Sequence, residues 1–214
     1  DMPLERVEIS AEIIAYAKDQ LKLKLNQSIY VTLTDHINFA IERVSHGIEP
    51  ENALLWEIKR FYSHEFQLGT YALQLIYERL GIKLPEDEAG FIALHFVNAE
   101  YGTDIHDALK FPNQMNDIVR IVEQELGLEL DEGSLHYERF VTHVKFLLQR
   151  IYRKELLSSE DKELAQMMQR KYPKEYNCSE KVAAYIKEAT GCTLSDEEVM
   201  YLSVHIRRVT AVEK

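Results

Sequence analysis

Thr34-Asp35-His36-Ile37-Asn38-Phe39-Ala40-Ile41-Glu42-Arg43-Val44 and Val141-Thr142-His143-Val144-Lys145-Phe146-Leu147-Leu148-Gln149-Arg150-Ile151 are two versions of one segment, 107 positions apart. Histidine, phenylalanine and arginine coincide, and apolar positions fall on apolar positions. Within each version the apolar residues recur every three to four positions, the spacing of a helix with one buried face. The same shift carries Ile14 onto Ile121, Leu21 onto Leu128 and Tyr30 onto Tyr137.

Further along, Gly81-Ile82-Lys83-Leu84-Pro85-Glu86-Asp87-Glu88 lies over Gly191-Cys192-Thr193-Leu194-Ser195-Asp196-Glu197-Glu198, now 110 positions apart. Phe91-Ile92-Ala93-Leu94-His95 then lies over Tyr201-Leu202-Ser203-Val204-His205, and Tyr62, Glu65 and Phe66 over Tyr172, Glu175 and Tyr176. The change from 107 to 110 places three extra residues in the second copy between Val44 and Tyr172, where a loop is expected to absorb them. A period this long means two tandem domains rather than a solenoid of short repeats.

The fold class that follows is all-α: two tandem homologous helical bundles of about five helices each. In the first copy the pattern predicts helices over 7–24, 28–44, 50–62, 70–80 and 86–99, and the series repeats from Asn113 to Val212. Gly81 ends the fourth helix. Ser195-Asp196-Glu197-Glu198 reads as a capping box, and Pro85 with the acids after it marks the same helix start in the first copy. The domains are expected at 1–108 and 113–214, joined by a short linker over 109–112 that Pro112 interrupts.

The chain of 214 residues carries a net charge of −11, a poor balance for holding nucleic-acid phosphate, which is bound mainly by Lys and Arg. Its two cysteines, Cys178 and Cys192, have no counterpart in the first copy and form no disulfide framework, as suits a reducing cytoplasm. No apolar stretch is long enough to span a membrane and no signal peptide is recognisable.

Four of the eight histidines are therefore paired by the repeat: His36 with His143, and His95 with His205. Each stands beside an apolar stripe, and the two in each copy come from separate helices that a bundle can bring together. Three readings fit. They are hydrogen-bonded structural histidines, in which case the chain is a dimerisation module. They are ligands of a metal-dependent helical enzyme, although no His-Glu-x-x-His, Glu-x-x-His or cysteine pair at ligand spacing supports one. Or they are sites of reversible phosphorylation, since a neutral imidazole nitrogen is a good nucleophile near pH 7. Arg43 and Arg150 follow the first histidine of each copy by seven residues, and Arg207 and Arg208 follow His205. Arginine is suited to grip a phosphoryl group bidentately.

The tandem helical copies, the Thr-Asp-His and Thr-His helices and the Leu-Pro/Ser-Glu/Asp-x-Glu…His helices resemble phosphotransferase-system regulation domains, the paired domains of BglG/SacY/LicT-type transcriptional antiterminators. The resemblance covers essentially the whole chain. It implies a non-enzymatic sensor, without cofactor or resident metal, that takes phosphate from the phosphocarrier protein HPr and from a sugar-specific enzyme II permease. His36 and His95 would take the inhibitory phosphate that depends on enzyme II, and His143 and His205 the activating phosphate from HPr. The balance would set the arrangement of a homodimer, and RNA would be held only through an N-terminal domain that this sequence lacks. Asp35 matches the Asp-His of first copies, where the second copy has Thr142. Glu65 and Glu175 also match the family pattern, although solvated or helix-capping acids would read the same way.

Overall fold

The computed structural model describes residues 2–158 and 162–211. Among them it shows helices and no strand, in two compact units, Asp1–Pro112 and Asn113–Lys214. The first contains α1 (Leu4–Gln20), α2 (Ile29–Ser45), α3 (Leu55–Phe61), α4 (Ser63–Leu80), α5 (Glu86–Tyr101) and the single turn α6 (Ile105–Ala108). The second contains α8 (Leu135–Arg153), α9 (Glu163–Lys171), α10 (Pro173–Thr190) and α11 (Asp196–Thr210), with α7 (Phe111–Leu126) beginning at the boundary. The expected end of the second series at Val212 lies outside the described residues.

In the first unit α1 packs on α2 and α4, and α5 packs on α2, α3 and α4. The core between them is largely aliphatic, with one phenylalanine: Ile9, Ile13 and Ile14 of α1, Leu33, Ile37 and Ile41 of α2, Leu68 and Ile76 of α4, and Ile92 and Phe96 of α5 are all buried. In the second unit α11 packs on α8, α9 and α10. Phe140, Val144, Leu147, Val182, Ile186, Leu202 and Ile206 are buried there. Tyr185 donates to Asp117 at 2.7 Å and Lys181 pairs with Glu125 at 2.8 Å, which ties α10 to α7.

Several expected boundaries move, each for a local reason. α1 stops at Gln20 rather than Lys24, because Lys22 takes a left-handed conformation (φ 55°) and Leu23 and Leu25, two apart, pack on the core. α3 begins at Leu55 rather than Pro50: the Asn52 N–H donates to Asp87 at 2.6 Å and the Leu54 N–H to the Asn52 side chain at 3.0 Å, so 50–54 is a turn tied to the start of α5. Pro112 is not in an open linker but in the first turn of α7, where a missing N–H costs nothing. The three residues inserted in the second copy lengthen helices instead: α8 ends one residue past the counterpart of Ser45, and α9 begins two residues before the counterpart of Leu55.

α4 begins seven residues before the expected Thr70 and runs straight through Gly69. That glycine is a packing device. A Cβ on it would lie 2.1 Å from the carbonyl oxygen of Ala89, so only glycine lets α4 and α5 approach this closely. The equivalent position in the second copy is Ser179, fully buried, with its hydroxyl donating to the Tyr176 carbonyl at 2.6 Å. Gly69→Ala is therefore expected to destabilise the first unit by about 1–3 kcal/mol, the usual cost of overpacking, despite alanine's better helix propensity. Urea denaturation followed by circular dichroism checks this; an unchanged midpoint would show that the crossing opens freely.

Candidate functional site

α5 and α11 each start at a cap that presents a row of acids: Glu86, Asp87 and Glu88 after Pro85, and Asp196, Glu197 and Glu198 after Ser195. The Ser195 hydroxyl accepts the Glu198 N–H at 3.2 Å, which is half of the expected capping box. The other half does not form. The carboxylates of Glu88 and Glu198 turn inward, with both residues at 0% exposure. A carboxylate there costs several kcal/mol unless it is paired and fully hydrogen-bonded, and each is.

In the first copy the Arg43 Nη2 donates to Glu88 Oε1 at 2.5 Å, and the other oxygen, Oε2, lies 3.0 Å from the Nε2 of His36. In the second copy Arg150 takes both oxygens: its Nε and Nη2 donate to Glu198 Oε1 and Oε2, each at 2.7 Å. The Leu157 N–H adds a third bond to Glu198 at 3.0 Å, while Ser195 donates to the Leu157 carbonyl at 2.5 Å. Arg43 and Arg150 thus sit on one helical face with the histidines as expected, but their partner is a buried glutamate. Arg43 also lies over the Phe39 ring, 4.7 Å from its centroid.

The paired histidines meet in both copies. The rings of His36 and His95 are 4.7 Å apart, and those of His143 and His205 are stacked at 4.0 Å. All four are partly buried. Burial first, and then the charge of His36, pushes the pKa of His95 down to about 3. Burial, then His205 and Arg150, pushes His143 down to about 3. His205 is lowered by burial and then by Arg208. Two of the buried ring nitrogens, His95 Nδ1 and His143 Nε2, have no hydrogen-bond partner among the described residues. His143 and His205 also line an open cleft of about 360 Å³ with Leu135, Glu138, Arg139, Thr142 and Phe146.

The remaining candidates fall elsewhere or act differently. Asp35 is exposed, and the carboxylate that reaches His36 comes from Glu88 instead. Glu65 is buried, not solvated; with Tyr101 it helps hold the buried Tyr62 hydroxyl well above its ordinary pKa, burial being the larger cause. Glu175 pairs at 3.4 Å with Arg207, whose guanidinium lies 4.8 Å from the Tyr172 ring centroid, whereas Arg208 is exposed. Among the described residues no three of His, Cys, Asp and Glu gather where they could share a metal ion, and no helix is long and apolar enough to cross a membrane. Sequence reasoning missed Glu88 and Glu198 as site residues. Their coincidence under the 110-residue shift, next to small or apolar residues, was the available signal.

Two outcomes follow. Replacing Arg43 or Arg150 by Met strands a buried carboxylate, and each variant is expected to lose about 3–5 kcal/mol of stability in urea titration. The depressed histidines also set a pH dependence. His95 and His143 ionise near 6.5 when unfolded but near 3 in the fold, so between these values the unfolded chain binds more protons. Stability present above pH 6.5 is therefore lost as pH falls toward 3, by on the order of a few kcal/mol per histidine. The His95→Gln/His143→Gln double variant should show a flatter decline in urea midpoint between pH 7 and 3.5; an unchanged slope would contradict the assignment.

The PRD domain model matches residues 11–99 and again 116–209, each match containing one histidine pair. The transcription antiterminator LicT of Bacillus subtilis is 47% identical over 209 residues, 98% of this chain and 76% of the relative. The beta-glucoside operon antiterminator of Dickeya chrysanthemi is 44% identical over 208 residues, 97% of this chain and 74% of the relative. A crystal structure of GlcT CAT-PRDI aligns at 37% identity with a TM-score of 0.45, over 47% of this chain and 60% of its own. With both halves matched in the register of the histidine repeat, the chain belongs to the PRD domain family, as a tandem pair of PRD domains of the transcription-antiterminator type.

Proposed function

We propose that this chain is a phosphohistidine sensor in which the sugar phosphotransferase system writes on His36, His95, His143 and His205. The observation that carries the reading is the histidine pair itself. In each domain two rings from different helices meet at 4.7 or 4.0 Å beside a buried glutamate paired with a half-buried arginine. The depressed pKa values of His95 and His143 leave those rings neutral near pH 7, the state in which an imidazole nitrogen can attack phosphorus. Phosphate then adds a charge approaching −2 to a chain already at −11 and offers Arg43 or Arg150 an alternative partner.

In this reading HPr charges His143 and His205 to activate, and a sugar-specific enzyme II charges His36 and His95 to inhibit. The chain is the substrate in both cases and catalyses nothing. It acts in the cytoplasm as a homodimer whose arrangement follows the phosphorylation state. These two domains regulate antitermination and do not themselves hold nucleic acid, in keeping with a net charge of −11.

Incubation with phosphoenolpyruvate, enzyme I and HPr, followed by neutral-pH mass spectrometry, is expected to find acid-labile phosphate on His143 or His205. The His143→Ala/His205→Ala variant should lose that uptake. No phosphate on the parent when HPr is demonstrably charged would overturn the reading. Asp at both positions should imitate phosphate in part. Its small-angle scattering profile and dimer dissociation constant are expected to differ from the parent's.

A further inference from the structure

We infer that Glu88 is a positioning residue that selects the acceptor nitrogen of His36, directing the phosphoryl group to Nδ1. This rests on the reading of His36 as a phosphate acceptor. Glu88 is at 0% exposure and pairs with Arg43 through Oε1, so the group facing His36 is an ionised carboxylate oxygen. An ionised carboxylate can only accept a hydrogen bond. The Nε2 of His36, 3.0 Å from Glu88 Oε2, must therefore carry the proton. In the neutral ring this leaves the lone pair on Nδ1.

The transfer then needs no proton movement. The P–N bond of the donor breaks with its electron pair staying on the donor nitrogen, and the Nδ1 lone pair forms the new bond to phosphorus. The ring gains positive charge and keeps its proton on Nε2. The buried Glu88 carboxylate faces that charge, which favours its development, as a carboxylate does for the histidine of a hydrolytic triad.

The second domain supplies the contrast. Both oxygens of Glu198 are taken by the Arg150 fork, and His143 Nε2 has no partner among the described residues. Among the described residues no carboxylate is bonded to His143 to fix its tautomer. The same scaffold position thus holds a histidine with a defined nucleophilic nitrogen in one domain and an unassigned one in the other.

The test uses the full chain labelled with ¹⁵N-histidine. Long-range ¹H–¹⁵N correlation reads the His36 tautomer, identified by comparison with His36→Gln. Phosphoramidate, which transfers phosphate without a protein partner and leaves as ammonia, then gives the isomer through ¹⁵N–³¹P coupling. An Nε2–H tautomer and phosphate on Nδ1 are expected. An Nδ1–H tautomer, or phosphate on Nε2, overturns the inference. In Glu88→Gln, Arg43 holds the amide oxygen and the NH₂ group donates to Nε2. This moves the proton to Nδ1 and should slow phosphorylation of His36 by ~100-fold or more, as with a histidine held in the wrong tautomer. A folded Glu88→Gln protein with unchanged tautomer and isomer also overturns it; if that variant does not fold, the parent's tautomer decides. Failure of HPr and enzyme II to charge the chain would sink the sensor reading while the tautomer and the phosphoramidate product still decide this one.

Discussion

A carboxylate taken out of water must be paid for, and in each domain one glutamate sets that condition. Glu88 and Glu198 sit one turn into α5 and α11, fully buried, and each is met by an arginine from near the end of the facing helix. The arginine lies seven residues after a histidine, about two helical turns. Seven residues after the glutamate, likewise about two turns along its own helix, comes the second histidine. Once the glutamate and arginine are paired, the two histidines have to meet. The ring contacts are the far end of a register fixed by an arginine on a buried carboxylate.

That logic separates what the sequence makes legible from what it hides. The repeat, the helical periodicity and the identity of the paired histidines can be read directly, because they depend on spacing along one helix. The role of Glu88 and Glu198 could not, because a glutamate three residues after a cap also satisfies a local rule. Ser195 obeys that rule with its hydroxyl while Glu198 answers to Arg150 and Leu157. The choice of Arg207 over Arg208 as the partner of Glu175 is likewise a matter of which face of α11 meets α10. Helix ends were the least legible. α1 yields to a left-handed Lys22, α3 to the Asn52–Asp87 tether, and Gly69 looks like a helix breaker until Ala89 is seen against it.

The two domains share a frame and differ in protonic detail. One glutamate divides its oxygens between an arginine and a histidine, while the other gives both to an arginine and accepts a loop amide as well. Gly69 and Ser179 show the same divergence in packing, a bare backbone contact in one crossing and a hydroxyl closed on its own helix in the other. Duplication preserved the positions where two helices must cross and relaxed what each crossing does with its spare hydrogen bonds.

Leu157 lies outside any helix, yet its N–H is bound to Glu198 and its carbonyl to Ser195. Backbone amides in such segments ordinarily exchange with solvent deuterium almost freely, with an opening energy near zero. This one can exchange only when a buried carboxylate lets go of it, so its protection is tied to the interior of the domain. The Leu157 amide, between α8 and α9, is a natural isotope clock for the integrity of the ion pair behind it.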